Sequence, residues 1–161
     1  MPKGNKTADV GLDLVVAIEE AIAKEQTAQV FYTKASGLAT APAVKALFRE
    51  LKADEVEHER LLKGVLADLL GGKGLKKLKS ISSRPPDKEL ARFFSKDVPR
   101  TTTSYAEALA IAMRREEDAR DDYFRLAKAS PTEPLRDLFN LLAHVEAGHL
   151  KRLKNIYRSG P

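Results

Sequence analysis

Six residues of this chain occur as two matched sets. Glu25, Glu55 and His58 form the first, and Glu116, Glu146 and His149 form the second. One offset relates them, because 116−25, 146−55 and 149−58 all equal 91. The chain has only three histidines, and two of them fall in this pattern. Whatever the chain folds into must place two similar halves so that four carboxylates and two imidazoles have a use in common. That inventory is the ligand set of a dinuclear metal site.

The sets lie on four long amphipathic stretches, running from about Ala8 to Ser36, Ala43 to Leu70, Ser104 to Ala129 and Glu133 to Tyr157. Apolar residues recur at helical spacing. In the first stretch they are Leu12, Val15, Val16, Ile18, Ile22, Val30 and Phe31. In the second they are Val44, Leu47, Phe48, Leu51, Leu61, Leu62, Val65 and Leu69. Abundant Ala, Leu, Glu, Lys and Arg, with few β-branched runs, favour helix over strand. Gly37 and Pro42 separate the first two stretches, and Ser130, Pro131 and Pro134 separate the last two. Both turns are short, so each pair is expected to form an antiparallel helical hairpin.

The expected fold is all-α: a four-helix bundle of two hairpins joined by a long crossover. Residues 1–161 read as a single domain, with one hairpin over about 8–70, the crossover over about 71–103 and the second hairpin over about 104–157. Asp87 to Phe94 reads as a short helix inside the crossover. The repeat extends beyond the ligands. Leu47-Phe48 recurs as Leu138-Phe139, Leu51 as Leu142, Ala21 as Ala112, Ala28 as Ala119, Tyr32 as Tyr123 and Leu62 as Leu153. The offset therefore belongs to the scaffold, and implies a pseudo-twofold axis.

Residues level with each other in a hairpin are equidistant from its turn. The midpoint of Glu25 and Glu55 is residue 40, in the first turn, and that of Glu116 and Glu146 is residue 131, in the second. Each Glu and the His three residues after it share a helix face. Four helices can thus aim one layer of ligands at the middle of the bundle. A crossover of about 30 residues, at up to about 3.3 Å each, is long enough to return along a bundle of about 40 Å. By symmetry, Glu25 and His58 serve one ion, Glu116 and His149 the other, and Glu55 and Glu146 bridge.

Composition narrows the chemistry. The absence of cysteine excludes disulfides, zinc ribbons and thiolate-ligated iron. A metal must be held by oxygen and nitrogen, which suits iron, manganese or zinc. No stretch approaches the roughly 20 apolar residues needed to span a bilayer, and the N-terminus lacks a signal-peptide core. The expectation is a cytoplasmic protein with no membrane partner. The formal charge is +5, and Lys73, Lys76, Lys77, Lys79 and Arg84 supply much of the excess. Without interleaved aromatic residues this run reads as a solvated linker, and nucleic acid is not an expected partner.

The ligand motifs resemble those of the ferritin-like di-iron carboxylate superfamily, and within it the rubrerythrin branch most closely. The resemblance rests on Glu25 followed seven residues on by Tyr32, Glu116 followed likewise by Tyr123, and the two Glu-x-x-His segments. It covers nearly the whole chain outside the crossover. It implies a ferritin-like bundle holding two iron ions (manganese or zinc being the alternatives) and no haem. It further implies oxidoreductase chemistry on hydrogen peroxide or dioxygen, an external electron donor, and a homodimer or larger homo-oligomer. Iron storage with ferroxidase activity, and hydroxylation of an organic or RNA substrate, are the alternatives that related bundles offer. Two features depart from the usual pattern. Rubrerythrins commonly carry a rubredoxin domain, whose cysteines this sequence lacks, and an additional carboxylate one turn after the third-helix ligand, where Ala119 stands here.

Other residues read more plainly. Tyr32 and Tyr123 lie two turns from a ligand, either to hydrogen-bond the ligand layer or to pack half-buried. Glu19, Glu20, Glu50, Glu57, Glu59 and Glu117 read as solvated, His144 as a surface residue, and Met113 as core packing.

Overall fold

The computed structural model describes residues 6–71 and 104–160, with side chains from Leu14 onward. The basic run and the Asp87–Phe94 segment fall outside the described residues. Four helices form: α1 (Lys6–Leu38), α2 (Pro42–Leu69), α3 (Tyr105–Ala129) and α4 (Glu133–Ser159). None is long and apolar enough to cross a membrane.

The helix ends follow from local chemistry. Ala41 is extended and Pro42 opens α2, where its fixed φ and missing N–H are harmless. Gly71, at φ 52°, closes that helix and donates to the Asp68 carbonyl at 3.1 Å. Ser104 begins α3 with a capping box: its hydroxyl accepts from the Glu107 N–H at 3.2 Å, and its own N–H donates to Glu107 at 2.9 Å. Pro134 lies in the first turn of α4, after an extended Thr132.

α1 packs on α2 and α3 on α4, giving two hairpins that meet along α1–α3 and α2–α4. Two apolar clusters fill the interior. One combines Ile18 and Ile22 with Leu62, Leu66, Tyr123, Leu126, Phe139 and Leu142. The other combines Phe31, Tyr32, Val44, Leu47, Phe48 and Leu51 with Leu109, Ala112 and Leu153. The open end of the first hairpin thus shares a cluster with the turn end of the second, and the reverse holds for the other cluster. The two turns lie at opposite ends of the bundle. This is the pseudo-twofold arrangement that the repeat requires.

Two positions expected on the apolar rows of α1 face outward instead: Val16 is 46% and Val30 is 50% exposed. They are fourteen residues apart and so share a face. The inner surface of α1 is taken by Ile18, Ile22, Glu25 and Tyr32, and the face with Val16 and Val30 has no neighbour among the described residues. Leu69, near the end of α2, is likewise exposed.

Candidate metal centre

Between the two apolar clusters lies one polar layer, and the helices bring all six repeated residues into it. Glu25, Glu55, His58, Glu116, Glu146 and His149 are each at most 4% exposed. They form two groups that could hold a metal ion. The first is Glu25, Glu55, His58 and Glu146, and the second is Glu55, Glu116, Glu146 and His149. Within each group one ligand atom per residue lies within 4.8 Å of every other. Glu55 and Glu146 belong to both groups.

Both imidazoles turn Nδ1 inward. That of His58 lies 3.0 Å from Glu55, 2.9 Å from Glu146 and 3.8 Å from Glu25. That of His149 lies 3.1 Å from Glu146 and 3.2 Å from Glu116. The rings stack across the centre, with centroids 6.0 Å apart and planes at 19°.

The tyrosines are fully buried rather than half-buried, and each both packs and hydrogen-bonds. Each stacks on a phenylalanine of its own hairpin, Tyr32 on Phe48 and Tyr123 on Phe139, at 5.9 and 6.4 Å between centroids. Each then reaches across to the other hairpin: the Tyr32 hydroxyl donates to Glu116, and the Tyr123 hydroxyl donates to Glu25. Burial and the neighbouring carboxylates hold both phenols protonated, well above their ordinary range.

So many acids in a dry layer cannot all stay ionised. Burial, then Glu55 and Glu146, push Glu25 well above the usual carboxylate range. Burial likewise raises Glu116, to about 8 against the pull of His149. Burial pulls His58 down, but Glu146 and Glu55 more than offset it and drive it up to about 11. His149 reaches about 10 by the same balance, with Glu116 and Glu146 as its partners. Glu146 alone goes the other way: burial opposes its charge, but both histidines hold it well below the usual range. In the metal-free chain, protons supply the positive charge that this layer demands.

The residues suit a metal on a direct test. Glu55 Oε2, His58 Nδ1 and Glu146 Oε1 are buried and have no hydrogen-bond partner among the described residues. The His58 nitrogen is close to both carboxylates but out of line for a bond. Three converging, unpartnered donor atoms in an oxygen and nitrogen set are what a divalent cation satisfies.

A cavity of about 290 Å³ opens onto the layer between α1 and α3. Its walls include Glu25, Glu55 and Glu116, with Ala28 and Ala119 as a symmetry-related small pair. Around its edge Lys24 and Arg125 both pair with Asp122.

His144 is exposed and outside the layer. Met113 packs against the second apolar cluster. Glu59 departs from expectation: only 15% of its side chain is exposed, and it accepts from Gln26 at 2.8 Å and Gln29 at 2.6 Å. Asp54 was not among the expected site residues, yet its Oδ2 lies 3.1 Å from Nε2 of His149. Its position directly before Glu55 turns it away from the ligand face of its own helix, and its repeat counterpart is Val145. Neither periodicity nor the internal repeat marks it.

Comparison with known proteins agrees with this geometry. A hypothetical protein from Pyrococcus furiosus has the same fold, with a TM-score of 0.67 at 20% identity over 95% of this chain and 92% of that one. No curated protein sequence matches. The family model for rubrerythrin matches residues 17–157, a span that contains all six residues of the layer. The chain belongs to the rubrerythrin family.

Proposed function

We propose that this chain is a di-iron oxidoreductase that reduces hydrogen peroxide or dioxygen and is reset by an external electron donor. The observation that carries the reading is the pair of four-residue groups sharing Glu55 and Glu146. Two cations a few ångströms apart repel, and shared carboxylates screen that repulsion. Glu25 and His58 would hold one ion, Glu116 and His149 the other, with Glu55 and Glu146 between them. Four glutamates balance the charge of two divalent ions. Iron, when bound, supplies the one-electron steps that the side chains cannot.

The protein's own part is geometry and protons. Tyr32 and Tyr123 hold Glu116 and Glu25 in place from the opposite hairpin. The apolar clusters close the layer off along the bundle on either side. The opening between α1 and α3 leaves room for a small oxidant next to Glu25 and Glu116. Reduction of one peroxide to two waters takes two electrons and two protons. A separate donor would supply the electrons.

The cavity also favours a second reading, hydroxylation of a small organic substrate, since its volume exceeds what peroxide needs. Hydroxylation would show as an oxygenated organic product formed with dioxygen, and the peroxidase reading has its own direct test. The chain loaded with two ferrous ions is mixed anaerobically with peroxide, or with dioxygen, and the oxidation is followed by absorbance. Peroxide oxidation faster than dioxygen oxidation supports the peroxidase reading. The reverse order, with iron loading far above two per chain, would replace it with ferroxidase and storage.

A further inference from the structure

The centre is built on a pseudo-twofold axis, but one contact breaks the symmetry. Nε2 of His149 points out of the layer and meets Asp54 Oδ2 at 3.1 Å. The same step on the other half, from residue 54 to residue 145, lands on Val145, whose side chain accepts no hydrogen bond. Among the described residues, every ion-pair contact of His58 is made through Nδ1, facing the centre. Among the described residues, one imidazole is thus held from behind by a carboxylate and the other is not.

That difference bears directly on cation affinity. A ligating imidazole needs its proton on the outer nitrogen and its lone pair on the inner one. An acceptor behind the ring selects that tautomer, fixes the ring and makes the inner nitrogen a better donor. For His149 the ring is already oriented: Nε2 meets Asp54 while Nδ1 faces Glu116 and Glu146. His58 must be ordered by the ion itself, and its Nδ1 is the one left without a hydrogen-bond partner.

We propose that the two metal positions are unequal: the position served by Glu116 and His149 takes a divalent cation more tightly and fills first, with Asp54 as its positioning residue. This rests on the reading that the six residues hold two ions. Loss of such an outer partner typically lowers affinity 10- to 100-fold. Asp54 is 47% exposed, so solvent screens the contact and the effect belongs near the lower end, about tenfold.

The test is anaerobic calorimetric titration of the metal-free full chain with Co(II), with the visible Co(II) bands recorded alongside. The wild type should bind in two resolved steps. Asp54→Ala should weaken the tighter step about tenfold, leave the weaker step in place, and leave the melting temperature of the metal-free chain unchanged. Val145→Asp should strengthen the weaker step by giving His58 its missing acceptor. His149→Ala should lose the tighter step, and His58→Ala should keep it. Two indistinguishable steps in the wild type, or an Asp54→Ala variant that weakens both steps or neither, would overturn the proposal. Failure to bind Co(II) at all would instead remove the dinuclear reading beneath it.

Discussion

Tyr123, on the second hairpin, donates its hydroxyl to Glu25 on the first. Tyr32 returns the contact to Glu116, so each half of the bundle holds a carboxylate of the other. Tyr123→Phe keeps the ring on Phe139 and removes only this bond. Losing this donor leaves a buried Glu25 oxygen unsatisfied, which costs about 1–3 kcal/mol. For a chain of this size, the melting temperature should fall by roughly 3–10 °C. The double variant with Tyr32→Phe should fall further, and differential scanning calorimetry reads both. An unchanged melting temperature in the double variant contradicts the cross-hairpin role.

Glu55 and Glu146 are the two residues common to both groups. Removing either should therefore disturb both positions, whereas Glu25→Ala should disturb only one. Metal analysis after reconstitution is expected to give about two ions per wild-type chain, about one for Glu25→Ala, and fewer for Glu55→Ala. Metal should raise the melting temperature of the wild type, because only the folded chain assembles the ligands. Two tightly held ions in a Glu55→Ala, Glu146→Ala double variant would end the dinuclear assignment.

Protonation gives the metal-free chain a distinctive pH profile. His58 and His149 keep their protons up to about 11 and about 10, against an ordinary value of 6.5. Above that ordinary value the folded chain binds more protons than the unfolded one, so stability falls as pH rises. Glu116, raised from 4.5 to about 8, acts in the same direction. Glu146 is depressed, and its contribution is lost only as pH falls below the usual carboxylate range. Melts of the metal-free chain should therefore show a steady decline from about pH 6 to about pH 10. Bound ions replace those protons, so the loaded chain should decline less and its affinity for metal should rise with pH. A flat profile for the metal-free chain would contradict the protonated layer.

Ala28 and Ala119 leave the cavity between α1 and α3 open. Ala119→Leu should narrow it without removing a ligand. The expected result is unchanged metal content and slower oxidation of the loaded protein by peroxide, measured by stopped-flow absorbance. The added volume should cost at most about 1–3 kcal/mol of stability, since the site is half-open. Unaltered oxidation rates in an Ala28→Leu, Ala119→Leu double variant would direct attention to another route of access.

Much of this was legible in the sequence because helical periodicity and one offset act together. The spacing of Glu55 and His58 fixes a shared face, and the midpoints at residues 40 and 131 fix the level of the layer. What could not be read depends on neighbours from elsewhere in the chain. Val16 and Val30 satisfy a helical row, but only the packing of α2 and α3 decides which row faces inward. The partners of the two tyrosines lie 84 and 98 residues away, and nothing in their own helices selects them. Asp54 reads as one more acid on a charged helix until α4 places His149 beside it.

Each hairpin contributes three of the six layer residues, and the two turns lie at opposite ends of the bundle. A single such hairpin facing a copy of itself would close an equivalent layer on a true twofold. Joining the two through residues 72–103 replaces a concentration-dependent meeting with an intramolecular one. It also frees the halves to differ. In a self-paired hairpin any acceptor behind one histidine would stand behind both; in this chain, Asp54 and Val145 can be set separately.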